Sequence, residues 1–263
     1  MNASASSALL RAYAALFYAF LYAPIVVLIA LSFNNSPAMG FPFLGFTTKW
    51  YSQVLAGGEL LAAMLNSLTL GAASAFIATV LALLTSLGLR HRFPLKGLVF
   101  PIILIPIVMP GIVSGVLLLV YIGFAGLPYG IWTAALPAHV TWVLPFAFLT
   151  LHPQISRFDP ALEEAAMDLG AKPGEVFRRV LFPILRPALI ATLLFSFTIS
   201  FDEFIRTLFV ISSERTVPIY LWVLITDRVA PFLPAIGVVL MAISMAIAGA
   251  GFVLSQRTST PQH

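Results

Sequence analysis

Six stretches of this chain carry almost no charge over the length needed to cross a lipid bilayer. They run about Ala14 to Phe33, Leu65 to Leu89, Leu98 to Tyr121, Ile131 to Leu151, Ala188 to Ile211 and Phe232 to Leu254. Only the fifth holds charges, near its far end. A hydrocarbon core about 30 Å thick takes about 20 residues of helix, so the pattern predicts an all-α polytopic membrane protein with six transmembrane helices. Composition agrees: 9% of residues are charged and mean hydropathy is +1.00, against about 25% charge in soluble domains. With 263 residues, six crossings leave no room for a second soluble domain, and a single transmembrane domain over 1–263 is expected. The first stretch is longer than the apolar region of a signal peptide, about 7–15 residues, and is read as helix one. Pro24, Pro101, Pro106, Pro110, Pro137 and Pro145 inside the stretches predict kinks.

Cysteine is absent, which removes disulfides, thiol nucleophiles and thiolate zinc sites. The four histidines, His91, His139, His152 and His263, fall in no metal-binding spacing and are read as loop or interfacial residues. The net charge of +4 reflects orientation rather than nucleic-acid binding. Arg11, Arg90, Arg92, Lys96, Arg157, Lys172, Arg178, Arg179, Arg186 and Arg257 fall on one side of the predicted membrane; Lys49, Arg215 and Arg228 fall on the other. The positive-inside rule then places both termini in the cytoplasm. Outside lie a long aromatic loop after helix one and the segment SSERTVPIYLWVLITDRV, whose apolar run is too short to span and reads as interfacial or re-entrant.

One cytoplasmic connection, His152 to Arg186, concentrates charge: besides its basic residues it holds Asp159, Glu163, Glu164, Asp168 and Glu175. Asp159 is suited to an N-cap, Pro160 to the first helical position and Gly170 to the end of a short helix. On that helix Leu162, Ala165, Ala166 and Leu169 share a small apolar face flanked by carboxylates, the form of a helix that docks into a groove on a soluble partner. A second helix is predicted from Pro173, stopping at Pro183.

The stretch EEAAMDLGAKPGEVFRRVLFP resembles the cytoplasmic EAA loop of the inner-membrane permeases of binding-protein-dependent ABC importers. Glu164, Ala165, Ala166, Gly170 and Pro183 match the pattern in position; Val180 and Phe182 stand where isoleucine and leucine are usual. SFNNSP, TTKWYSQVL, PIVMPGIVSGVLLL and SFDEF extend the likeness over nearly the whole chain, towards the second permease subunit of the spermidine/putrescine branch. The resemblance implies a type I importer fold, with helix one (about 14–33) embracing a second, homologous permease subunit and core helices over about 63–256. It also implies two ATPase subunits docked on the loop 152–186, an extracytoplasmic substrate-binding protein, and a bacterial inner-membrane location. No G-x-x-x-x-G-K-[ST] occurs, so ATP and Mg are expected on the ATPase partners, with no cofactor on this chain and no enzyme activity of its own. Within the loop, Glu163, Glu164 and Asp168 are expected to give rim contacts, Ala165 and Ala166 close approach, and Gly170 the turn.

Charges inside a span usually line a cavity or pair with each other. Asp202, Glu203 and Arg206 are therefore candidates for the substrate pathway, joined by Tyr220 and Trp222 on the short outer segment. On a continuous helix Asp202 and Arg206 stand four apart and pair, leaving Glu203 to face the pathway. The resemblance implies adjacent acids at this place, as in the polyamine permeases, which suits a small amine-bearing solute such as a polyamine, while Arg206 departs from that pattern and leaves a zwitterionic amine, an amino acid or a phosphonate open. A secondary transporter or channel without an ATPase is the alternative class; it has no need of the charged loop.

Overall fold

A computed structural model of the chain describes residues 3–227 and 230–258, so Arg228 and the polar tail beyond Thr258 lie outside the described residues. Among those residues the structure is helical, with one isolated bridge between Asn34 and Phe46. The chain divides into two compact units, Met1–Leu61 with Leu221–His263, and Ala62–Tyr220.

In the first unit α1 (Ala3–Ser32) is apolar all round and exposes Leu9, Leu16, Phe20 and Val26, so lipid or another protein must cover it. It packs on α12 (Leu233–Thr258), where Gly237 lets Leu28 approach to 3.0 Å from the place a Cβ would occupy. The loop after α1 is tied down rather than loose. The Asn34 amide donates to Gly40 O (2.9 Å) and accepts from Leu44 N (2.9 Å), and the Asn34 carbonyl accepts from Trp50 Nε1 (2.7 Å). Trp50 and Val54 form the buried side of the short amphipathic α2 (Lys49–Ala56).

The second unit is built on α3 (Gly58–Gly88), α6 (Leu136–Ser156) and α9 (Phe182–Phe201). Small residues on α3, Ala78 and Ala82, allow Val143, Ala147, Phe148, Leu151 and Leu185 to close one core. The third predicted span is not one helix: α4 (Lys96–Val108) and α5 (Gly111–Phe124) meet at a bend of 102°. Met109 is extended (φ −77°, ψ 127°) because the ring of Pro110 disfavours helical geometry in the residue before it.

The predicted stop at Pro183 is also corrected. Helix runs from α8 (Pro173–Val176) through a widened π-turn, Phe177–Leu181, into α9. The Phe182 amide bonds to Phe177 O, five residues back, and this wider turn relieves the clash a proline ring makes with the carbonyl four residues before it. The same device precedes Pro137, where a π-turn at Ile131–Ala135 leads into α6 and Leu136 N bonds to Ile131 O.

Four described helical spans are long and apolar enough to cross a bilayer, and the bent pair makes a fifth. The apolar segment of α12 extends to Met245 among the residues so assessed. Side-chain links sort the connections of the second unit into two ends. Arg90 joins Glu163 at one. At the other, Asn66 Nδ2 donates to Arg215 O (3.0 Å), Val217 N to Ser67 Oγ (2.8 Å) and Ile131 N to Glu214 Oε2 (2.9 Å).

Candidate functional site: a docking helix and a broken span

The charged connection begins where α6 ends at Ser156. The Asp159 carboxylate accepts from Ala161 N (3.0 Å) just ahead of α7 (Ala161–Asp168), whose N-cap is Pro160 and not, as expected, Asp159. Gly170 ends it at φ +85°: Gly170 N donates to Met167 O (2.8 Å) and Ala171 N to Ala166 O (3.1 Å), the paired bonds of a Schellman turn. No residue of α7 is buried. Leu162 and Ala165 are exposed, Ala166 is half-buried, and Leu169, just past the helix, is 90% exposed, so most of the apolar edge read from the sequence is open to a partner, with Glu164 and Asp168 exposed beside it.

Glu163 differs from its expected place among the rim contacts. Its carboxylate is engaged by Arg90, from the turn after α3, and the Arg90 guanidinium also lies 5.5 Å from the Phe158 ring centroid. Glu163 thus struts α7 against the end of α3. We expect Glu163→Arg to reduce transport several-fold and Arg90→Glu with Glu163→Arg to restore most of it, because exchanging the charges preserves the pair; about 1 kcal/mol of a partly exposed pair is at stake. Uptake assays on the two single variants and the exchange decide this.

The fifth span breaks where its charges lie. α9 ends at Phe201, Asp202 is its C-cap, and α10 (Ile205–Val210) starts afresh. The pairing expected for a continuous helix is therefore wrong: Arg206 pairs with Glu203, not with Asp202. Glu203 Oε1 accepts from the Arg206 amide (2.7 Å) and Oε2 from Arg206 Nη1 (3.1 Å), so one carboxylate caps α10 and neutralises its arginine. The two side chains are 6% and 5% exposed, and the guanidinium lies 3.7 Å from the Trp142 ring centroid, a cation–π contact strengthened by desolvation. Asp202 is exposed. Sequence reasoning had assigned the partner of Arg206 to the wrong one of the two acids.

His139 corrects another expectation. It is no loop residue but is buried in α6, sharing 2.7 Å hydrogen bonds with Ser200 Oγ and Thr207 Oγ1. Ser200 is bonded in turn to Ser74 on α3 (2.7 Å). A lone histidine in an apolar stretch was the available signal; Arg90 and Trp142 left none beyond charge counting and apolarity. Tyr220 and Trp222 lie on α11 (Val217–Asp227), Tyr220 buried and Trp222 exposed. Among the described residues no group of three or more His, Asp or Glu could hold a metal ion.

A family model described as the binding-protein-dependent transport system inner membrane component matches residues 77–260. The chain belongs to this family. The permease is 36% identical over 230 residues to the spermidine/putrescine transport system permease protein PotC of Escherichia coli strain K12, covering 87% of this chain and 86% of that one. It is 32% identical over 247 residues to the putrescine transport system permease protein PotI of the same strain, covering 90% and 85%. Among solved structures, a bacterial ABC transporter that imports the acidic polysaccharide alginate shares the fold at a TM-score of 0.74 and 17% identity, over 97% of this chain and 96% of that chain. A bacterial alginate ABC transporter in complex with an alginate pentasaccharide-bound periplasmic protein gives 0.71 at 16% identity, over 98% and 96%. The type I importer permease fold expected from the sequence is therefore present. The chain is a transport subunit of the inner membrane.

Proposed function

We propose that this permease forms half of the translocation pathway of an ATP-driven importer for polyamines. It crosses the membrane six times, with both termini in the cytoplasm. A second permease subunit supplies the other half, an extracytoplasmic protein delivers the solute, and two ATPase subunits hold ATP and Mg. α7 is the helix that rides on an ATPase subunit. Its open apolar edge and fixed end turn suit a rigid lever, which passes ATPase closure to the spans as a two-state motion.

The observation that carries the choice of solute is the sorting of charge at the break. Glu203 and Arg206 cancel each other in a buried pair, while Asp202 stays exposed, so the break presents a negative charge. Arg206 was the reason to consider zwitterions, and its engagement by Glu203 removes that reason. Tyr220, in the same unit as Asp202, is assigned to the outer part of the pathway. The names of the PotC and PotI relatives favour spermidine and putrescine as the first solutes to test.

Asp202→Asn is expected to leave the assembled complex intact and to raise the KM for spermidine and putrescine uptake about tenfold, the order of one lost charge contact. Unchanged KM values with both solutes would remove Asp202 from the pathway.

A further inference from the structure

A long helix, α9, and a short one, α10, meet at the break in the fifth span, yet the residues between them, Asp202-Glu203-Phe204, include neither proline nor glycine. Sharp departures from helix are usually made by those residues or by groups inserted into the ladder. Something outside the segment must hold the break open, and His139 is placed to do so. Its two ring nitrogens reach opposite sides of the break: Nδ1 shares a hydrogen bond with Ser200 Oγ in the last turn of α9, and Nε2 shares one with Thr207 Oγ1 in α10, each 2.7 Å. Both anchors are fixed in turn. Ser200 is bonded to Ser74 Oγ on α3, whose hydroxyl lies 2.7 Å from Leu70 O, and Thr207 Oγ1 donates to Glu203 O (3.1 Å). His139, Ser74, Ser200 and Thr207 are all nearly or fully buried.

We infer that His139 is a positioning residue for cargo: by bridging the two helices across the break it fixes where the Asp202 carboxylate, at the C-terminal end of α9, is presented to solute. The ring does what an aliphatic or phenyl side chain of similar size cannot. It offers hydrogen-bonding atoms on two edges at a fixed separation, so the distance between Ser200 and Thr207 is set by a rigid spacer. Ser74, Ser200 and Thr207 each have a second partner, and within this hydrogen-bonded set the imidazole is the group that joins the two helices. The ion pair Glu203–Arg206 caps α10 from within, so that helix can form without the clamp; what the clamp adds is the placement of α10 relative to α9.

The inference rests on Asp202 lying in the pathway, and its test separates the two. The chain has no cysteine, so Asp202→Cys reports the break directly through its rate of modification by a small soluble thiol reagent in the assembled complex, followed as a mass shift of this chain. Adding His139→Phe is expected to change that rate at least about fivefold, the scale of one net hydrogen bond, while Glu164→Cys on α7 reacts at the same rate with and without it. With Asp202 intact, His139→Phe should raise the KM for spermidine about fivefold or more with little change in Vmax. Where His139→Phe does not assemble, Ser200→Ala with Thr207→Val removes the same clamp from its other side and is measured the same way. An unchanged labelling rate overturns the inference, as does a lowered melting temperature with KM unaltered. If Asp202→Asn transports with unchanged KM, the pathway reading is the one that fails; the labelling arm then still decides whether His139 holds the break, a shift supporting the clamp and none overturning it.

Discussion

Glu203→Gln is expected to destabilise the folded permease by about 3–5 kcal/mol, because it leaves the Arg206 guanidinium buried without its counter-charge. The magnitude follows from burial. Both side chains are almost fully covered, and Glu203 uses both oxygens, one on the Arg206 amide and one on Nη1. Trp142 remains beneath the guanidinium at 3.7 Å, but a cation–π contact is worth about 2 kcal/mol when desolvated and does not replace the carboxylate. Replacing both partners, Glu203→Gln with Arg206→Met, should recover most of the loss, since removing a buried pair is far less costly than splitting it. The readout is the yield of monodisperse complex and its melting temperature in detergent. Asp202→Asn in the same assay should behave like wild type, because Asp202 is exposed. The opposite ranking, a fragile Asp202 variant and a robust Glu203 variant, would return the pairing to the one a continuous helix allows.

Gly170→Val should cut transport at least about tenfold while the complex still assembles and binds ATP. At φ +85° a β-branched residue pays about 1–2 kcal/mol or more for its Cβ. No atom lies within 4 Å of where that Cβ would stand, so the penalty is in the backbone alone. Relief comes from opening the turn, which breaks the bonds from Gly170 N and Ala171 N and swings the exposed Leu169 away. Gly174 also has open space around it, without a positive φ, so Gly174→Ala is the matched control and should transport normally. ATPase activity measured beside uptake separates lost coupling from lost assembly.

How far each of these features could be read from the chain depended on whether its cause was local. The turn at Gly170 was legible because glycine ends a short amphipathic run, and φ > 0 is what glycine is used for. The break at Met109–Pro110 was legible as a kink, since proline acts on its immediate neighbour, but not as a bend of 102°. The stop assigned to Pro183 failed for the opposite reason: the π-turn that accommodates it leaves no periodic mark in the sequence. The break at Asp202 was hidden altogether. Its clamp comes from His139, more than sixty residues away in α6, and a helical count of i to i+4 across it assigned Arg206 to the wrong acid. Glu163 is a similar case, its partner Arg90 lying in another connection.

The most direct test is uptake into proteoliposomes holding this chain with the second permease subunit and the two ATPase subunits proposed for it, the proposed binding protein and labelled spermidine or putrescine being supplied on the outer face. The account predicts accumulation that requires ATP on the cytoplasmic face, requires the binding protein, and falls in the Gly170→Val complex while ATP is still bound. Uptake that proceeds undiminished without ATP, or without the binding protein, would contradict it and assign the chain to a transporter or channel that works alone.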